Sequence, residues 1–303
     1  IEKNVMHLVT REQQQELLLA LAEEKISLEV TAGGSGANSM IGISQLGGRS
    51  AFSGKIGRDE HGKLYREKLE ALGVCDCLAE GEGATGSSLI LVSEDGARTM
   101  NTFLGMSQEL MNPDIDPDII QSSKYLYLTG YLWDTESQKK AVLNALDEAK
   151  KREIKVALSL SDPFCVTRHK EDFINLLKGY ASMVFCNQEE AFTLLDTEIT
   201  QKAVETLSDW TETVALTIGA YGALISHQGE TCYIDPLPVR VEDTTGAGDA
   251  FAAGFLYGMT HDLSPLDSGR IGATLAAAVI GQTGPRYLGN ARILIQEKLG
   301  IML

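Results

Sequence analysis

Short β-rich apolar runs alternate with helical patterns along most of this chain, and no other feature restricts its possible folds so tightly. Strands are predicted at Tyr125–Leu128, Ile154–Leu158, Met183–Cys186, Val214–Ile218 and Ala223–Ser226. Helices are predicted at Gln13–Glu24, His61–Leu72, Ser137–Lys151, Gln188–Leu195 and Ala247–Met259. Repeated strand–helix–strand units need crossover helices, so the pattern specifies an α/β fold with a parallel sheet covered on both faces. One segment breaks the rhythm. Ser87–Ser93 and Arg98–Leu104 flank the acidic, glycine-containing turn Glu94-Asp95-Gly96-Ala97, and together they read as a β-hairpin. A hairpin inserted into such a chain predicts a small β lid, contributed by about residues 1–32 and 84–107, beside the α/β core. No repeat, low-complexity tract or Pro/Gly linker divides residues 1–303, so a single domain is expected.

Charge narrows the partners. The net charge of −16, from 42 acidic and 26 basic residues, leaves no dense Lys/Arg field with which to displace counterions from a duplex. Nucleic acid is excluded as a partner on that ground, whereas a small anion can still be held by backbone N–H groups. No apolar run approaches the roughly 18 residues of a membrane span. Glu2, Glu12, Glu16, Glu23 and Glu24 make the start unlike a signal peptide. Cys75, Cys77, Cys165, Cys186 and Cys232 form an odd, scattered set without C-x-x-C, which fits reduced thiols in a cytoplasmic protein. Nothing in the sequence chooses between a monomer and a homodimer.

Gly81-Glu82-Gly83-Ala84-Thr85-Gly86 matches G-x-G-x-x-G letter for letter. A dinucleotide site needs a strand before that motif and a helix after it. Here a Cys-rich loop is expected before it and the strand Leu89–Val92 after it, so it reads as a hinge into the hairpin. The H-R-D and D-F-G motifs of protein kinases are absent, and so is G-x-x-x-x-G-K-[ST].

The string that carries chemistry is Asp243-Thr244-Thr245-Gly246-Ala247-Gly248-Asp249-Ala250-Phe251-Ala252-Ala253-Gly254-Phe255. Val239–Val241 is expected to end a strand, a Thr/Gly turn follows, and small residues then open a helix. The bare N–H groups of Gly246, Ala247 and Gly248 can converge on an anion, helped by the positive end of the helix dipole. Asp249 falls in the first helical turn, facing the same point. A carboxylate beside an anion hole makes sense once a hydroxyl is placed between them. Asp249 then accepts the hydroxyl proton while the hole stabilises a phosphoryl group in flight. An acidic residue at a helix start is also favoured by the dipole alone. The length of the string favours catalysis.

With Gly33-Gly34-Ser35-Gly36-Ala37-Asn38-Ser39, followed by Gly47-Gly48 and Gly57, this string resembles the paired signatures of the ribokinase-like (PfkB) carbohydrate and nucleoside kinases. The resemblance covers essentially the whole chain. It implies a ribokinase-like three-layer sandwich with a mostly parallel central sheet and a β lid, and phosphoryl transfer from ATP to a small-molecule hydroxyl. It also implies that Gly33, Gly34 and Asn38 meet the substrate, that Asp249 is the base, and that Gly246, Ala247 and Gly248 form the anion hole. Asn187-Gln188-Glu189-Glu190 matches the family's N-x-x-E motif, which places Glu190 near Mg2+ through water and Asn187 near ATP. Thr217, Gly219 and Gly222 follow a strand as ATP-contacting residues do in the family, although a plain β-turn explains them as well. A monovalent cation, K+, would involve Asp243 and Thr245. The family usually carries a substrate-binding Asp on its first strand, whereas residues 1–32 contain none. The chain opens at Ile1 without Met, so residues preceding it are expected to supply that group, the alternative being an altered sugar site.

Three stretches tilt the resemblance towards adenosine kinase. Lys3-Asn4-Val5-Met6-His7-Leu8-Val9 with the Gln/Glu-rich helix after it is similar to that group's lid entry. Ser161-Asp162-Pro163-Phe164 is similar to its S-A-P-F turn, with Asp162 as a mismatch. Arg98 falls where that group places an arginine near the transferred phosphate. Strand alternation puts Arg98, Met100 and Thr102 on one hairpin face, with Asn101 and Phe103 on the other. A purine needs flat apolar walls, which Met6, Met100 and Tyr131 can supply, although packing of lid on core would use the same residues. The expected acceptor is the adenosine 5′-hydroxyl. The alternatives are a kinase for fructose, ribose or a similar sugar, and an inactive relative that binds nucleotide or sugar.

Overall fold

The computed structural model describes residues 6–93 and 98–303, and of Arg98 the backbone alone. The first part of the chain contains β1 (Met6–Leu8), α1 (Arg11–Glu23), α2 (Ser35–Gln45), β2 (Ala51–Gly57), α3 (Glu60–Ala71) and β3 (Cys75–Gly81). The hairpin β4 (Ser87–Val92) and β5 (Arg98–Phe103) follows, then α4 (Pro117–Gln121), β6 (Tyr125–Thr129), α5 (Glu136–Lys151) and β7 (Lys155–Ser159). Next come α6 (Pro163–Gly179), β8 (Met183–Asn187), α7 (Gln188–Leu195), α8 (Thr200–Ser208) and β9 (Thr213–Thr217). The last part holds β10 (Ala223–His227), β11 (Glu230–Ile234), α9 (Ala247–Thr260), α10 (Pro265–Ile280) and α11 (Ala291–Leu299).

The main sheet runs β11-β10-β9-β8-β7-β6, with β6 to β9 parallel and β10 and β11 antiparallel. Its parallel strands β6 to β9 are largely apolar on both faces, as a sheet covered twice requires. Successive residues alternate between two cores. Leu126, Leu128, Val156, Leu158, Val184, Val214 and Leu216 join the core under α5 to α8. Tyr127, Ala157, Met183, Phe185 and Ala215 join the core that holds Phe251 and Phe255 of α9. Phe255 is wholly buried and meets Phe185 edge-on at 5.7 Å, burial that contributes about 1.5–3 kcal/mol. The small residues of the long string let helices approach. A Cβ on Gly42 of α2 would lie 2.6 Å from Ala253 Cβ, and one on Gly254 would lie 2.6 Å from Gly272 Cα of α10.

Two smaller sheets stand apart from the main one: β1-β5-β4 and the parallel pair β2-β3. The hairpin pairs with the register Ser87↔Phe103 to Val92↔Arg98, and β1 adds in parallel with Met6 opposite Met100. Gln14 pins α1 to this sheet, its amide donating to the carbonyls of Ser87 at 3.1 Å and Asn101 at 3.0 Å. Two expectations are corrected here. The segment before Gly81 is no loop but β3, and the helix missing after Gly86 is what rules out a dinucleotide site. Val239–Val241 forms no strand; Val239 and Val241 are exposed in an irregular segment that pairs with no strand among the described residues. The turn Glu94–Ala97 and the segment Lys3–Val5 lie outside the described residues. Among the described residues, no helix is long and apolar enough to cross a membrane.

Candidate active site

Four parallel strands end on the same edge of the main sheet. Beyond their carboxyl ends lie Thr129, Ser161 and Asp162, Asn187 and Glu190, and Thr217. That crevice is where open α/β sheets place ligands. It opens into a continuous cleft of about 2410 Å3 that the β1-β5-β4 sheet also borders.

Two helix starts meet on one wall of this cleft. Gly34 precedes α2 with φ +101°, a left-handed value open to glycine. Ser35 and Asn38 then fall three residues apart and share a face of α2. Ser35 Oγ donates to Asp249 Oδ1 at 2.6 Å, and Asn38 Nδ2 donates to Asp249 Oδ2 at 3.0 Å. Residues from opposite ends of the chain thereby aim one carboxylate. Burial raises its pKa, against the lowering by the Ser35 and Asn38 hydrogen bonds. Asn38 Oδ1 is buried and has no partner among the described residues.

Gly246 caps α9 with φ +79°. The first N–H groups of a helix have no intrahelical acceptor. Among the described residues, those of Gly246 and Gly248 have no partner, while Ala247 N–H donates to the Thr244 carbonyl at 3.3 Å. A Cβ on Gly248 would meet nothing within 4 Å, so the cleft is open there. Asp243 is buried, and its oxygens accept from Thr245 N–H at 2.7 Å and Gly284 N–H at 2.6 Å, which fastens the loop before α9.

Glu190 is 5% exposed at the start of α7. Asn187 N–H donates to one of its oxygens at 3.1 Å and Asn187 Nδ2 to the other at 2.7 Å, while Glu190 N–H donates back to Asn187 Oδ1 at 2.8 Å. Burial pushes the Glu190 pKa up to about 7, with Asp162 and Glu189 adding like charge. No Lys or Arg pairs with it among the described residues. Also among them, no three His, Cys, Asp or Glu side chains stand together as a metal cage.

The cleft brings together Gly33, Gly34, Asn38, Gly246, Ala247, Gly248 and Asp249 with Asn187, Glu190, Thr217 and Gly219. Met6, Met100, Thr102 and Tyr131 line it too, as do Asp243 and Thr245. Gly222 does not border it. Its φ is +85°, and a Cβ would stand 2.0 Å from the Ile234 carbonyl, so the turn itself demands glycine there. The Arg98 side chain lies outside the described residues. Asp162, the mismatch in its motif, caps α6 by accepting Cys165 N–H at 2.8 Å. Sequence reasoning assigned no part to Ser35, although its spacing from Asn38 on one helix face was the available signal.

A family model described as pfkB family carbohydrate kinase matches residues 6–291. A structure named as a probable sugar kinase protein from Rhizobium etli CFN 42 is 34% identical, with a TM-score of 0.90 over 98% of this chain and 90% of that one. Adenosine kinase from Sinorhizobium meliloti is also 34% identical, with a TM-score of 0.90 over 98% of this chain and 91% of that one. The 5-dehydro-2-deoxygluconokinase of Clostridium beijerinckii is 28% identical over 270 residues, 82% of this chain and 78% of that protein. This protein belongs to the pfkB family of carbohydrate kinases, with the ribokinase-like fold, and is a sugar or nucleoside kinase transferring a phosphoryl group to an alcohol.

Proposed function

We propose that the protein phosphorylates the 5′-hydroxyl of adenosine with ATP. The observation that carries the chemistry is the Asp249 carboxylate, aimed by Ser35 and Asn38 beside the unpartnered N–H groups of Gly246 and Gly248. Asp249 takes the proton of the acceptor hydroxyl as its oxygen bonds to the γ-phosphorus. The bond from that phosphorus to the β–γ bridging oxygen breaks, and ADP leaves with the electron pair. The N–H groups at the start of α9 stabilise the charge that develops on the moving phosphoryl oxygens. Thr217 and Gly219, at the end of β9, lie where the nucleotide would extend.

Mg2+ would supply charge neutralisation at the β- and γ-phosphates. Glu190 fits a part in that site, because its buried carboxylate has no cationic partner among the described residues and sits beyond the strand ends. Acting through metal-bound water, it would help place the ion. Glu190→Gln should raise the Mg2+ concentration for half-maximal rate by about 10–100-fold. An unchanged Mg2+ titration would remove Glu190 from this role.

The adenosine assignment is supported by the likeness to the Sinorhizobium enzyme and by the apolar wall of Met6, Met100 and Tyr131. The β1-β5-β4 sheet would act as a lid that brings Met6 and Met100 over the base, with Tyr131 facing it from the turn after β6. A sugar acceptor is favoured instead by the names of the Rhizobium and Clostridium relatives. The deciding measurement is kcat/KM for adenosine, ribose, fructose and 5-dehydro-2-deoxygluconate at equal ATP. Adenosine should lead, and a tenfold lead by any of the others would replace the nucleoside reading. Met100→Asp places a carboxylate against the purine wall and should raise the KM for adenosine by about tenfold or more, with little effect on a free sugar. Binding of ATP without turnover of any acceptor would instead indicate an inactive relative.

A further inference from the structure

Residues 281–288, after α10, touch the Asp243–Phe255 string and the segment that leads into Gly33–Ser39. Gly284 N–H donates to Asp243 Oδ2 at 2.6 Å, and a Cβ on Gly246 would lie 2.2 Å from the Pro285 carbonyl oxygen. The segment is braced from within. Gln282 Nε2 donates to the Arg286 carbonyl at 2.6 Å, and Gln282 Oε1 accepts Leu288 N–H at 3.3 Å. Arg286 reaches outward to the two residues just before the other string: Nη1 donates to the Ala32 carbonyl at 2.6 Å and Nη2 to the Thr31 hydroxyl. Tyr65 fixes the next residue, its phenol donating to the Gly33 carbonyl at 3.0 Å. Gly34 then turns the chain into α2, where Ser35 holds Asp249.

Arg286 is half-buried, and burial lowers its pKa. It has no carboxylate partner among the described residues. Removing a guanidinium from water without an opposite charge costs free energy, and its fork is satisfied here by a backbone carbonyl and a hydroxyl. Such an arrangement fixes geometry more than it adds stability.

We propose that Arg286 is a positioning residue for phosphoryl transfer. By clamping Thr31 and Ala32 to the 281–288 loop, it sets Ser35, and through Ser35 the Asp249 carboxylate, in register with the Gly246 anion hole. The proposal rests on the kinase reading above.

The test compares Arg286→Ala and Arg286→Lys with Ser35→Ala and with the Arg286→Ala/Ser35→Ala double variant. Arg286→Ala should lower kcat by about 10–100-fold, since displacement on the order of 1 Å at the reacting groups costs up to about 10²-fold. The KM for ATP should stay near its parent value. Arg286→Lys should recover little, because a point charge cannot bridge two acceptors as a fork does. It also serves as the folded comparison should the alanine variant fail to fold. In the double variant the Ser35 change should add far less than it does alone, because both residues act through one contact. Hydrogen exchange at the amides of residues 31–35 should quicken in both Arg286 variants. Losses that multiply independently, full activity in the lysine variant, or unchanged exchange at 31–35 would each overturn the proposal. If the parent protein turns over no acceptor, the kinase reading falls, and the exchange result alone decides whether Arg286 clamps this segment.

Discussion

Asp249→Asn is expected to lower kcat by about 10²–10⁴-fold while the KM for ATP stays near its parent value. The substitution keeps the side-chain shape and removes the proton acceptor. Ser35 Oγ can still donate to the remaining oxygen, as it does now at 2.6 Å. The new amide nitrogen would face Asn38 Nδ2, a donor against a donor. Asn38 can relieve that by turning its amide, because its Oδ1 has no partner among the described residues. The fold should therefore survive the change. Its stability should even improve at neutral pH. Burial raises the Asp249 pKa above the usual 3.8, so the folded state binds that proton more tightly than the unfolded chain does. The charged form then costs stability above the folded pKa, and the cost fades as pH falls through it towards the unfolded value. The Asn variant carries no such charge. Thermal melts at neutral pH should show it at least as stable as the parent, with the gap closing in acid. Near-parent turnover would mean that Asp249 is not the base.

The α/β core was legible because each buried strand is apolar on both faces and each flanking helix carries its own periodic stripe. Met183–Asn187 followed directly by Gln188–Leu195 shows both signals without any distant contact. Where state depends on a partner, local signals fail. Cys75–Gly81 contains Asp, Ala, Glu and Gly, which are depleted in strands. It is a strand because β2 pairs with it along its whole length, and because Arg66 of α3 reaches Asp76 at 2.6 Å and also pairs with Glu80. Val239–Val241 errs the other way, having β-branched residues but pairing with no strand among the described residues. The site divides along the same line. Gly246 to Asp249 could be read as a helix start with a carboxylate in its first turn, since those residues lie within one helical turn. The Ser35 hydroxyl on Asp249, and the Arg286 grip on Ala32, join residues far apart in the chain; the spacing of Ser35 from Asn38 hints at a shared face, but no local pattern names the distant partner.

Gly246→Ala should cost about 2–4 kcal/mol of stability and, where the variant folds, lower kcat by about 10²-fold. Two separate penalties fall on this residue. Its φ of +79° is left-handed, which strains any residue with a Cβ. That Cβ would also stand 2.2 Å from the Pro285 carbonyl oxygen, a backbone atom with no rotamer through which to yield. Either the 281–288 loop moves or the start of α9 does, and each shift displaces the N–H groups proposed to hold the phosphoryl oxygens. Gly248→Ala separates these effects. Its φ is not left-handed, and a Cβ there would meet no atom within 4 Å. In the first turn of α9 the alanine should leave stability unchanged or raise it by up to about 1 kcal/mol. It should still lower kcat, because the methyl group enters the space assigned to the moving phosphoryl group. Denaturant midpoints and steady-state rates of the two variants, measured together, give the decisive contrast. If Gly248→Ala is as active as the parent protein, the phosphoryl group does not pass beside Gly248, and the anion hole must be built elsewhere.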